Sequence, residues 1–157
     1  MFTKGKPFRF EGTYHSKFRS LIEKKTGRPL GVCDDIADQV KTDCGIRKTF
    51  KFEGILFHKT NGHLFSPDWE EEQDAIVSAG WNLPTAWHLA FSFHKDVFPS
   101  EDGRAAVIAL GSRVIANGWD ARVCLLNCPT KGTRLCPVVY NGVHQRVYSL
   151  MGFQQLN

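Results

Sequence analysis

The sequence predicts an α+β fold: a single domain over residues 1–157, with a mixed sheet of about five or six strands and four helices. Three observations predict it. Stretches such as TFKFEGILF alternate apolar and polar residues with the period of a strand. Others, such as Tyr14, Phe18, Leu21 and Ile22, place apolar residues at helical spacing. The two kinds of segment follow one another without a repeat, low-complexity tract or linker.

Residues 1–12 read as a basic-aromatic arm, with Lys4, Lys6 and Arg9 interleaved with Phe2, Phe8 and Phe10. Thr13 is placed as the N-cap of a first helix that closes at Gly27-Arg28-Pro29. A second helix is expected from about Leu30 to Cys44. Cys33, Ile36, Ala37, Val40 and Cys44 share its apolar face, and Gly45 is its stop. TFKFEGILFHKTNGHLF then reads as a hairpin turning at Asn61-Gly62. Ser66-Pro67 and the acids Asp68, Glu70, Glu71 and Glu72 open a third helix that ends at Gly80.

TAWHLAFSFH reads as a strand, with Trp87, Leu89, Phe91 and Phe93 on one side and His88, Ala90, Ser92 and His94 on the other. A fourth helix, capped by Ser100, is expected through the Ala-rich run up to Asn117-Gly118. That pair also reads as a hairpin turn, which would make Val114-Ile115 a strand. ARVCLLN is a buried strand, and RLCPVVYNGVHQRVYSLMG a second hairpin around Asn141-Gly142. The edge of that terminal hairpin is available to another chain.

The net charge of +4 is unevenly spread. Residues 1–51 carry 12 Lys/Arg against 6 Asp/Glu, residues 52–103 carry 2 against 9, and residues 104–157 carry 6 against 1. The thirds are therefore net +6, −7 and +5. Such a chain either neutralises itself or presents a basic face to an acidic partner. No apolar run reaches the ~18 residues of a membrane helix, and none follows the basic residues of MFTKGKPFRF, so neither a membrane nor a secretory leader is expected. An odd count of five cysteines, with no N-x-S/T sequon, fits free thiols in a reducing cytoplasm.

Four groups of residues carry possible chemistry. Cys33, near a predicted helix start, with His58, His63, His88 and His94 downstream, resembles the nucleophile and base of papain-like and transglutaminase-like hydrolases. Packing of Cys33 as a small apolar side chain is the plainer alternative. His58 and Thr60 form a His-x-Thr at a strand end. Two-histidine phosphodiesterases use two such elements, and no second copy is present. ADP-ribosyltransferases resemble the segment more loosely but need a late glutamate, and nothing acidic follows Asp120.

His88, Ser92 and His94 would share one strand face, as a nucleophile and base or as metal ligands. Cys124, Cys128, Cys136 and His144 are an acceptable zinc set without the spacing of a zinc knuckle, so no cofactor is expected beyond a minor structural zinc.

The basic residues Lys17, Arg19, Lys24, Lys25, Lys131 and Arg134 form the expected binding surface. No phosphate loop and no nucleic-acid motif accompanies them. The expectation is a small cytoplasmic accessory or regulatory protein that binds an acidic protein or a nucleic acid. The alternative is a small Cys/His or Ser/His transferase or hydrolase using Cys33 or the His88-Ser92-His94 row.

Overall fold

A computed structural model describes residues 2–13, 30–42, 49–59, 69–92, 105–128, 132–139 and 148–156. They form eight strands and three helices. The strands are β1 (Phe2–Lys4), β2 (Phe8–Thr13), β3 (Leu30–Val32), β4 (Thr49–Lys59), β5 (Ala105–Ala116), β6 (Trp119–Cys128), β7 (Gly132–Val139) and β8 (Tyr148–Gln155). The helices are α1 (Ala37–Thr42), α2 (Trp69–Ser78) and α3 (Ala86–Ser92).

All strands join one mixed sheet in the order β1-β4-β8-β5-β6-β7-β3, with β2 continuing the β1 side of the sheet along β4. The β5–β8 and β3–β7 pairs are parallel and the rest antiparallel. Strand alternation gives the sheet two apolar faces. Phe52, Leu56, Val107, Val123, Leu125 and Met151 face one way and meet Trp87, Leu89 and Ala90 of α3 and Val40 of α1. Ile55, Phe57, Ile108, Cys124 and Leu150 face the other way and meet Trp69 and Ile76 of α2. The core is thus two layers, one on each side of the sheet.

The mixed α+β single-domain class is as expected, but the sheet is larger and the helices fewer. The stretch expected as an arm is paired into the sheet as β1 and β2, and Thr13, expected as a helix N-cap, ends β2 opposite Thr49. The body of that helix lies outside the described residues. Leu30–Val32, expected as helix, pairs in parallel with β7, and helix begins only at Ala37. α2 lies within the helix expected there and is followed by Gly80, whose φ of +91° suits glycine, while the expected opening at Ser66-Pro67 and Asp68 lies outside the described residues.

TAWHLAFSFH is helical over Ala86–Ser92, because helix buries Ala86, Trp87, Leu89 and Ala90 together. Ala105–Ala116 is strand, not helix. Asn117 and Gly118, at φ 50° and 81°, form the two-residue turn that pairs Ala116 with Trp119, so the hairpin reading of this pair holds.

The turn and returning strand of the hairpin expected at Asn61-Gly62 lie outside the described residues; its first strand, β4, is flanked by β1 and β2 on one side and β8 on the other. The second expected hairpin does not match the observed strand pairing. β7 and β8 both form, yet β5 and β6 lie between them, because β6 and β3 occupy both edges of β7. The strand β8 therefore lies between β4 and β5, with Phe153 bridged to Asn82 past the end of the β5 pairing. Both Asn-Gly pairs themselves lie outside the described residues.

β5 is interrupted where Ala109 pairs with Val123 and Arg113 with Arg122, which leaves Leu110, Gly111 and Ser112 as a bulge. The helical layers latch it. Gln73 Nε2 donates to the Leu110 carbonyl, the Gly111 amide to the Pro84 carbonyl, and the Ala86 amide to Ser112 Oγ.

Candidate functional site

The closest pairing of chemically active side chains among the described residues joins β4 to β8. Antiparallel register sets His58 opposite Ser149, and His58 Nδ1 lies 2.7 Å from Ser149 Oγ. On its other side His58 is aligned with Thr3 of β1, so neither flanking residue is an acid. Gly5 brings the β1–β2 link close: its amide donates to the Leu56 carbonyl at 2.8 Å, and a Cβ there would stand 3.5 Å from His58 Nε2. Burial holds the His58 pKa below the usual histidine value, so the ring is neutral near pH 7. Ser149 is 1% exposed, which seals its hydroxyl in the sheet beneath the partly exposed imidazole. Sequence reading names His58 but misses Ser149, since only strand register, absent from local pattern, brings the two together.

The other sequence-derived candidates are placed differently. His88 sits in the first turn of α3, three residues after Thr85, and its Nδ1 accepts from the Thr85 amide at 3.1 Å. This is the reach-back of a capping box, with histidine in place of the usual Glu or Gln. The ring stacks on Phe153 at 4.0 Å, and burial lowers its pKa to about 4. Ser92, fully buried, donates to the Leu89 carbonyl and touches Met151 Sδ. Helix places His88 and Ser92 one turn apart, each with its own partners; His94, like Thr60, lies outside the described residues.

Cys33 follows β3, its amide donating to the Leu135 carbonyl at 3.1 Å, and its thiol faces Cys136 at 3.6 Å instead of a histidine. Cys124 is aligned with Cys136 across β6 and β7 and is buried. Cys128 ends β6, while His144 lies outside the described residues. Among the described residues no group of three His, Cys, Asp or Glu is arranged to hold a metal.

Of the expected binding residues, Arg134 is exposed on β7, its side chain lying along Gly31. Lys17, Arg19, Lys24, Lys25 and Lys131 lie outside the described residues. The sheet edge adds basic groups of its own. Arg9 stands opposite Glu53 and Lys51 opposite Glu11, the latter as an ion pair of 3.6 Å. They stand beside an open cleft of about 520 Å³ lined by Arg9, Phe10, Glu11, Lys51 and Leu156. Lys4 and Lys6 are also exposed, and β1 is aligned with Phe57, His58 and Lys59, none of them acidic.

Among the described residues no helix is long and apolar enough to cross a membrane. No protein-family model, curated protein or solved structure matches the chain.

Proposed function

We propose that the protein is an accessory or regulatory module that binds an acidic protein through its basic surface, including the β1 edge of the sheet. One observation carries this reading. Lys4 and Lys6 are exposed, and the β4 residues aligned with β1 include no carboxylate, whereas Arg9 stands opposite Glu53 and Lys51 pairs with Glu11. Surface charge of one sign attracts and orients a partner of the other.

An acidic protein fits better than a nucleic acid, because Phe8 and Phe10 are partly buried and packed against other rings. Phe8 packs edge-on against Phe10 at 4.7 Å, and Phe10 against Phe52 at 5.4 Å, which withholds them from stacking on bases.

The test is anisotropy titration of the whole chain with a labelled poly-glutamate peptide and a labelled single-stranded oligonucleotide, at ~0.05 and ~0.3 M salt. Tighter binding of the peptide, weakened at least ~10-fold by K4E/K6E and unchanged by R9E, supports the reading. Equal binding by K4E/K6E removes it. Preference for the oligonucleotide reassigns the surface to nucleic acid.

The 2.7 Å His58–Ser149 contact favours a second reading, a serine–histidine hydrolase. Neutral His58 would take the Ser149 proton as Oγ attacks an ester carbonyl, then return it to the departing alkoxide; water would release the acyl group. Covalent labelling of Ser149 by a fluorophosphonate, lost in H58A and S149A, is the expected signature. An unlabelled wild-type chain makes the contact structural, in keeping with the burial of Ser149.

A further inference from the structure

We propose that Cys33 and Cys136 form a reversible disulfide, a site of oxidative modification that clamps β3 to β7. Parallel pairing aligns Leu30 with Thr133, Gly31 with Arg134 and Val32 with Leu135. Continuing that register by one residue sets Cys33 beside Cys136, and the Cys33 amide to Leu135 carbonyl bond fixes the two backbones there. Neighbouring strands run ~4.8 Å apart, within the Cα separations that disulfides span. The two sulfurs stand 3.6 Å apart, so rotation of the side chains closes most of the gap to a bond of ~2.0 Å.

Access separates this pair from its neighbour. Cys33 and Cys136 are each partly exposed, while Cys124, aligned with Cys136 on its other side, is 1% exposed. A dissolved oxidant therefore reaches the outer two thiols and not the third.

The oxidant class is a small-molecule disulfide such as oxidised glutathione. One cysteine thiolate attacks a glutathione sulfur, forming a protein–glutathione mixed disulfide and expelling one glutathione thiolate. The second cysteine thiolate then attacks the protein sulfur, and the second glutathione thiolate leaves. The protein thiols give up two protons and two electrons, and one oxidised glutathione becomes two reduced ones. The cross-link joins residues 103 positions apart, so it restricts the unfolded chain strongly.

The test incubates the full chain in glutathione buffers of graded oxidised-to-reduced ratio, blocks the remaining thiols, and maps peptides by mass spectrometry without reduction. Expected is a Cys33–Cys136 peptide, two hydrogens lighter, that disappears on reduction. Oxidation should raise Tm by roughly 10 °C. C124S should keep both effects, and C33S and C136S should lose both while matching the reduced wild type in Tm. A Cys124–Cys136 cross-link, glutathione adducts that never resolve, or unreacted thiols throughout would each overturn the assignment. Should C33S fail to fold, the wild-type peptide map alone decides the matter.

Discussion

Gln39 on α1 holds Ile115 of β5 by both ends of its side-chain amide. Oε1 accepts from the Ile115 amide at 2.8 Å, and Nε2 donates to the Ile115 carbonyl at 2.9 Å. β8 pairs with β5 only over Ala106–Ile108, so this contact serves the edge of β5 beyond the reach of β8. Nε2 also donates to the Asp35 carbonyl, which ties the amide to the turn before its own helix. The side chain stands where a neighbouring strand would, satisfying one donor and one acceptor of the ladder. Gln39→Leu keeps the size and removes both bonds. Because the site is exposed and water replaces part of the loss, the expected cost is about 1–2 kcal/mol by urea denaturation. An unchanged midpoint would show that the amide adds nothing to the β5 edge.

His88 makes stability depend on pH. Burial depresses its folded pKa to about 4, against 6.5 for the free side chain. The folded state therefore binds the proton less well than the unfolded state. The stabilisation is complete above pH 6.5 and declines as pH falls toward about 4. At a pH near 4.5 the expected loss is about 2–3 kcal/mol. His88→Gln retains an acceptor for the Thr85 amide but does not titrate, so its denaturation midpoint should fall less than that of the wild type between pH 7 and 4.5. Parallel pH curves for the two proteins would refute the assignment.

Asp120 is the counter-charge of a buried arginine. Its Oδ1 lies 3.1 Å from Arg122 Nη1 and 2.8 Å from Arg113 Nε. The Arg122 side chain is 5% exposed and sits over the Trp69 ring, whereas the Arg113 side chain is 71% exposed. Burial alone would raise the Asp120 pKa, but the Arg113 hydrogen bond and the Arg122 charge outweigh it and bring the carboxyl below its usual range. The contribution of Asp120 is thus present above the ordinary carboxylate range and lost as pH falls through the lowered value. Asp120→Asn removes the counter-charge of Arg122 and, with the Asp120 side chain 40% exposed to water, should cost about 1–2 kcal/mol. Adding Arg122→Met should recover most of that loss, because the charge needing compensation is gone. Additive losses in the double variant would show that the two residues do not act as a pair.

Much of the local architecture is legible in the sequence, and most of its long-range order is not. α2 carries its own stop in Gly80, and β6 is apolar enough to be read as buried strand without its neighbours. TAWHLAFSFH is ambiguous because Trp87 and Leu89 serve both periodicities. Burial of Ala86 and Ala90 and the Thr85–His88 cap decide for helix, and only tertiary packing supplies that burial. The Ala-rich run before Asn117-Gly118 goes the other way, because the left-handed turn and the β6 pairing outweigh alanine's helix preference. Strand order leaves no trace in local pattern. For that reason Ser149 beside His58 and Cys33 beside Cys136 are both products of register between distant segments.

The β5 bulge gives a graded comparison of two glycines. A Cβ on Gly111 would lie 2.6 Å from the Pro84 carbonyl oxygen and 2.8 Å from that of Leu83, both backbone atoms that cannot swing aside. The Gly111 amide is also bonded to the Pro84 carbonyl at 2.8 Å, so shifting the strand to admit a methyl group lengthens that bond too. Gly118, in the β5–β6 turn, has open space around its missing Cβ and a φ of +81°, so alanine there meets only backbone strain. Gly111→Ala should therefore cost about 2–3 kcal/mol and Gly118→Ala about 1 kcal/mol. The larger loss should come with weakened protection of the Ala86 amide, which donates to Ser112 Oγ in the same bulge. Denaturation of both variants, with amide exchange at Ala86, checks the ranking. Equal costs, or full protection at Ala86 in Gly111→Ala, would mean that the loop before α3 moves freely from the sheet and does not latch it.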